Sequence, residues 1–264
     1  MEKIGFIGFG NMASAIAKGI IKNNNEVISI AAYDPNDSFI NEFSDTVTKY
    51  DNAFKLVQEN RYIFLCVKPQ MLEVALKPIA ATFTKEHVIV SILAGVTISA
   101  INEIVKDICP VIRTMPNTPL LLGYGTTAIA RPESISEVDY TFVKKVFKSV
   151  GEVYEISPDR FNEIIPVNGS SPAFIYLFAK IIAEQAHSYG LDYKQCLEMI
   201  SKTLIGSAMM ILETEKSVDE LIAMVSSKGG TTVAAIEAMN RHGFTEALSE
   251  GIKACIERAY SLGG

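Results

Sequence analysis

The sequence predicts an α/β protein: an N-terminal Rossmann-like, doubly wound domain followed by an all-helical domain that dimerises. Three observations lead there. Short β-rich runs alternate with helical stretches from residue 2 to about residue 156. A glycine loop follows the first of these runs and opens a helix. Past residue 157 the apolar spacing turns helical, and no strand candidate follows Pro166. Alternation of this kind marks βαβ units, and nearly continuous apolar runs suit strands covered on both faces, as in a parallel sheet.

The strand candidates, in order, are residues 3–8 (KIGFIG), 26–33 (EVISIAAY), 61–67 (RYIFLCV), 87–93 (HVIVSIL), 109–115 (CPVIRTM) and 125–130 (GTTAIA). In the second half, Pro172 stands where a first helical turn starts, and apolar residues recur at helical spacing to Tyr189, before Gly190. A second long helix covers 193–215, with shorter ones near 219–226, 231–241 and 245–261. The Ser-Pro-Asp segment at 157–162 sets the boundary, giving domains 1–160 and 161–264. Residues 173–183 (AFIYLFAKIIA) are apolar almost all round, which points to cover by a partner subunit in a homodimer or higher homo-oligomer, the alternative being cover by the Rossmann-like half.

With 264 residues, 48% of them hydrophobic, the chain can bury a full core. A net charge of -6 and the absence of any Lys/Arg block argue against nucleic acid or an anionic membrane as partner. Cys66, Cys109, Cys196 and Cys255 form no C-x-x-C pair and read as small hydrophobes in a reducing compartment. No apolar run has the length to span a bilayer, and the first residues enter a strand pattern at once. The expected location is cytoplasmic. No metal is called for.

Two glycine stretches carry the chemistry. IGFIGFGNMASAIAKGI contains Gly8-x-Gly10-x-x-Ala13 between strand and helix. Gly8 permits a tight turn, Gly10 lets the backbone approach a pyrophosphate, and Ala13 allows close helix–strand packing. Phe9, Gly10, Asn11 and Met12 would then lie along a dinucleotide at the helix start. Asp34 ends the second strand, where a carboxylate binds the adenosine ribose hydroxyls of NAD. No Lys or Arg lies between Tyr33 and Asn41 to hold a 2′-phosphate. Asp34 has a second reading, as the first residue of an Asp-Pro-Asn turn pointing away. Val67, Lys68 and Pro69 follow a parallel strand, at the sheet edge that binds ligands; the plain reading of Lys68 is a surface charge. VSSKGGTTVAAIE (225–237) places adjacent glycines before a helix start, a backbone cradle for an anion.

Several motifs in order resemble the pyrroline-5-carboxylate reductase family along the whole chain: FIGFGNMASAI, CVKPQ (66–70), RTMPNTP (113–119), NGSSPAF, the long helix GLDYKQCLEMISKTLIGSAMMILETE, and VSSKGGTT. The resemblance implies a Rossmann-like domain with an interlocking helical dimerisation domain, and in some members assembly of dimers into decamers. It implies reduction of a small cyclic imine carboxylate by NADPH or NADH, with NADPH (bound as NADP) the family tendency, against the Asp34 argument for NAD. It places Asn52 near the adenine ribose and Met115, Pro116 and Asn117 near the nicotinamide, although Asn117 also reads as a turn cap. It makes Gly229, Gly230, Thr231 and Thr232 the carboxylate cradle, with Ser227 lining the pocket and the Thr232 hydroxyl, the one catalytic candidate, near the imine nitrogen. His87, His187 and His242 fall in no recognisable loop and read as surface or packing residues. The chain departs from the family at Lys228 (usually Pro), Ser171 (usually Gly) and Asn162 (often acidic). The rival readings are a reductase of another cyclic imine and a non-catalytic dinucleotide-binding paralogue.

Overall fold

The structure, a computed structural model, describes residues 2–23 and 28–263. The first compact unit comprises Met1–Pro172 with Cys255–Gly264; the second is Ala173–Ala254.

The first unit is built on an eight-stranded sheet of order β3-β2-β1-β4-β5-β6-β7-β8. The strands are β1 (Glu2–Ile7), β2 (Ile28–Tyr33), β3 (Val47–Lys49), β4 (Tyr62–Leu65), β5 (Val88–Ser91), β6 (Val111–Pro116), β7 (Gly125–Ala130) and β8 (Gly151–Glu155). All six expected strands are present, although Glu26 and Val27, the expected start of the second, lie outside the described residues. The helices between them are α1 (Asn11–Asn23), α2 (Ser38–Asn41), α3 (Ala53–Glu59), α4 (Leu72–Leu76), α5 (Ile98–Val105) and α6 (Glu137–Lys148), with the short α7 (Ile165–Asn168) after the sheet.

Alternate residues of the central strands point to opposite faces, and both faces are covered. Ile4, Phe6, Tyr62, Phe64, Val88 and Val90 join α1 and α6 through Ile16, Val143 and Phe147. Ile7, Ile63, Leu65 and Ile89 join α3, α4 and α5 through Leu56, Leu76 and Ile101. That is why these strands read as unbroken apolar runs; each such side chain, fully buried, contributes about 1.5–3 kcal/mol.

Two details correct the sequence expectation. β7 pairs antiparallel with β6, whereas the other strand pairs are parallel. A single 3-10 turn, Thr118–Leu122, closed by Gly123 at φ 82°, joins them, and a link this short reverses the chain instead of crossing over. The sheet also has two strands that the pattern did not announce. β3 is three residues long with one buried side chain, and β8 is a half-exposed edge.

The second unit is helical. After α8 (Ser171–Ser188) come α9 (Tyr193–Glu213), α10 (Val218–Met224), α11 (Thr231–Arg241) and α12 (Phe244–Gly263), whose last turns belong to the first unit. On α8, Tyr176, Leu177 and Ile181 are exposed, as are Ile205, Met209 and Leu212 on α9. No described helix is long and apolar enough to cross a membrane.

Candidate active site

In the sheet order, β1 sits between β2 and β4, so the chain's direction of travel across the sheet reverses there; ligands bind at such switch points, beyond the carboxyl ends of the strands. A cleft of about 690 Å³ opens at that place. Its lining brings together Gly8, Gly10, Asp34, Asn52, Val67 and Lys68 from the predicted set. Pro35 of the Asp-Pro-Asn turn joins them, and Tyr33, Phe54, Met71 and Val74, which carry no motif, complete much of the wall.

The glycine loop has the geometry its chemistry needs. Gly8 has φ 86°, and a Cβ there would stand 2.9 Å from the Cys66 carbonyl and the Val67 nitrogen. At Gly10 an added Cβ would meet nothing within 4 Å, because it would project into open space beside the cleft. A cradle that a single methyl group would begin to fill fits a pyrophosphate approached by backbone N–H groups at the start of α1. Phe9 turns its ring into the core, edge-on to Phe6 and Phe43. Met12 packs on the same core, whereas Asn11 is exposed.

The Asp34 carboxylate closes the loop from below. Its Oδ2 accepts from the Phe9 backbone N–H at 2.7 Å and its Oδ1 from that of Asn36 at 2.8 Å. The second bond is the turn contact that the sequence allowed; the first ties β2 to the glycine loop. Asn52 caps α3, accepting from the Lys55 N–H at 2.9 Å, and also faces the cleft. Lys68 is extended before Pro69, which opens a 3-10 turn. Cys66, half-buried and one residue past β4, has its thiol pushed up in pKa by desolvation.

Met115 and Pro116 end β6, Asn117 follows them, and all three are buried. The Asn117 amide is committed inside the protein. It accepts from the Thr126 N–H at 2.8 Å and donates to the Thr126 hydroxyl at 3.0 Å and the Asn168 carbonyl at 3.3 Å. Asn168 in turn donates to the Met115 carbonyl and accepts from the Thr126 hydroxyl. This cluster fixes the 115–117 backbone. Asn168 and Thr126 were not foreseen, since nothing in the sequence ties residues so far apart.

Arg113, two residues earlier, is 4% exposed, with its guanidinium 4.8 Å from the Phe161 ring centre. It donates to Asn162 Oδ1 at 3.2 Å, its Nε has no partner, and burial pulls its pKa down to about 10. The position where the family often carries an acid is thus filled by a neutral amide facing a buried cation.

In the second unit, Gly229 at φ 74° and Gly230 turn the chain into α11. The Gly230 N–H donates to the Ser227 carbonyl at 2.9 Å, so it is engaged in the turn and not open to a ligand. No side chain caps α11, which leaves the first-turn N–H groups of Thr231, Thr232 and Val233 outside the helical ladder. Ser227 and Lys228 are exposed, and the Ser226 hydroxyl is buried without a partner.

The comparisons with known proteins bear on both units. The family model "Pyrroline-5-carboxylate reductase dimerisation" matches residues 158–262, and "NADP oxidoreductase coenzyme F420-dependent" matches residues 3–95. The chain is 32% identical to the pyrroline-5-carboxylate reductase of Escherichia coli (strain K12), covering 99% of this chain and 98% of that one. The chain belongs to the pyrroline-5-carboxylate reductase family. It is also 34% identical to pyrroline-5-carboxylate reductase 3 of Danio rerio, over 99% of this chain and 91% of the other. Among solved structures, the NADP-bound pyrroline carboxylate reductase of Plasmodium falciparum superposes with TM-score 0.92 at 25% identity, covering 100% and 98% of the two chains. As a reductase of this family the chain uses NAD(P) and forms homo-oligomers through its dimerisation domain.

Proposed function

We propose that the chain reduces L-1-pyrroline-5-carboxylate to L-proline with NAD(P)H, the last step of proline biosynthesis. The observation that carries this reading is the full-length likeness to pyrroline-5-carboxylate reductases with the Gly229-Gly230-Thr231-Thr232 helix start intact. The uncapped N–H groups of Thr231, Thr232 and Val233 receive the substrate carboxylate. Bonds from backbone N–H to a charged group are worth about 1.5–3 kcal/mol each, so two or three anchor a small molecule. Gly10 and the N–H groups opening α1 bind the pyrophosphate, with Gly8, whose own N–H donates to the Tyr33 carbonyl, making the turn that admits it, and the end of β2 with Asn52 receives the adenosine ribose.

When bound, the nicotinamide supplies a hydride to the imine carbon. The C=N π pair moves onto nitrogen, which carries its proton into the product amine. An iminium needs little acid help, so the protein's task is distance and facing. The Thr232 hydroxyl orients the nitrogen. Asn117, with both ends of its amide engaged, acts on the nicotinamide side by holding the 115–117 backbone. The exposed apolar residues of α8 and α9 are the dimer contact, with dimers free to assemble further. Four free cysteines suit the cytoplasm.

The test is nicotinamide absorbance followed with purified protein and pyrroline-5-carboxylate, using NADPH and NADH in parallel and a six-membered imine as competitor. Rapid oxidation with the five-membered imine is expected. No oxidation with either cofactor, in protein that still binds one, rejects this substrate.

A further inference from the structure

We infer that Asp34 makes this enzyme prefer NADH over NADPH, an inference that rests on the dinucleotide reading of the cleft. The adenosine 2′ position decides between the two cofactors, and in folds of this kind it lies against the residue at the carboxyl end of the second strand, here Asp34 just past β2. That residue here is a carboxylate that is not free to move aside. Its two oxygens accept from the Phe9 and Asn36 backbone N–H groups at 2.7 and 2.8 Å. Swinging it away from a 2′-phosphate breaks both bonds, and the Phe9 bond holds the glycine loop itself. Each oxygen keeps a lone pair for a ribose hydroxyl.

Nothing nearby offsets the charge. Among the described residues lining the cleft, Lys68 is the only basic one. It follows β4, and β1 separates β4 from β2. Two strand spacings, roughly 10 Å, therefore lie between the ends of β4 and β2, which Lys68 and Asp34 follow. Lys49, on β3, is paired with Asp37 of the Asp-Pro-Asn-Asp turn, so its charge is already neutralised. Pro35 supplies no N–H to a phosphate. A 2′-phosphate brings close to two negative charges to this rim, whereas a ribose hydroxyl brings a donor.

The experiment is calorimetric titration of the whole protein with NADH and NADPH in the absence of imine, on the wild type, Asp34→Ser and Asp34→Asn. The Asn variant keeps a carbonyl acceptor for the Phe9 N–H and so guards against loss of the loop. Wild-type Kd should favour NADH by about tenfold or more. Both variants should shift the NADPH/NADH ratio at least tenfold toward NADPH. Tighter NADPH binding by the wild type, or an unchanged ratio in Asp34→Asn, overturns the inference and leaves the dinucleotide site standing. Binding of neither cofactor overturns the dinucleotide reading, and this inference with it.

Discussion

Replacing each of two neighbouring glycines by alanine separates folding from cofactor binding. At Gly8 the new Cβ meets the Cys66 carbonyl and the Val67 nitrogen at 2.9 Å, backbone atoms that cannot rotate away, and φ is 86°. A positive φ costs a non-glycine residue about 1–2 kcal/mol, and overpacking adds about 1–3. Gly8→Ala should therefore lose about 2–5 kcal/mol of stability. At Gly10 the Cβ meets nothing within 4 Å, and φ is not positive. Any capping penalty, below about 1 kcal/mol, is offset by the lower chain entropy of alanine when unfolded. Gly10→Ala should fold as the wild type does. Its methyl group occupies the pyrophosphate approach, and losing one or two charge-assisted N–H bonds costs about 2–4 kcal/mol, roughly a 30- to 700-fold rise in cofactor Kd. Urea unfolding at fixed protein concentration and NADH titration measure the two effects. A Gly10→Ala protein with wild-type cofactor affinity would refute the cradle, and a Gly8→Ala protein of wild-type stability would refute the packing argument.

Three further changes test other parts of the molecule. Asn162→Asp gives buried Arg113 a carboxylate; the attraction is about 4 kcal/mol at 4 Å, desolvation returns most of it, and Tm should rise by a few degrees, whereas a fall would show that the guanidinium charge is already satisfied. Asp139 is pushed up in pKa by burial but pulled further down by Ser136, Tyr62 and Arg61, so its net shift is downward. Its contribution is therefore present above the unfolded carboxylate value, about 3.9, and lost as pH falls through the lower folded value. Asp139→Asn should cost about 2–3 kcal/mol at neutral pH and flatten the acid limb of the stability curve; an unchanged acid limb removes Asp139 as its source. Thr232→Val should lower kcat at least tenfold with cofactor Kd unchanged, and a wild-type kcat would remove the hydroxyl from the mechanism.

What the sequence made legible was periodic or local. The six apolar strands announced themselves because both sheet faces are buried, and α11 begins at Thr231 as its glycines and threonines indicate. β3 and β8 stayed hidden because a strand of three residues and a half-exposed edge have no pattern to show. The reversal at β7 lay in the length of its connection, not in the composition of the strand. Within the site, the backbone motifs were readable and the side-chain bonds were not. Asp34 to Phe9, Asn117 to Thr126 and Arg113 to Asn162 join residues 25, 9 and 49 positions apart, and only the fold brings them together.

The missing cap on α11 follows from the turn that precedes it. Asn52, Thr97, Ser136, Asp192 and Ser217 each place a side-chain oxygen on the first turn of their helix. Such a cap is worth about 1 kcal/mol, and Gly230 has none to give. A capping residue does not fit there, because any Cβ at position 230 would stand 2.7 Å from the Ser227 hydroxyl and 2.9 Å from its carbonyl. The same tight turn takes up the Gly230 N–H, so it excludes a side-chain oxygen and leaves the next three N–H groups facing outward. The proposed substrate carboxylate would take the place a serine or aspartate would have filled. On that proposal, substrate recognition at this helix would complete an N-cap that the chain's own geometry prevents it from making.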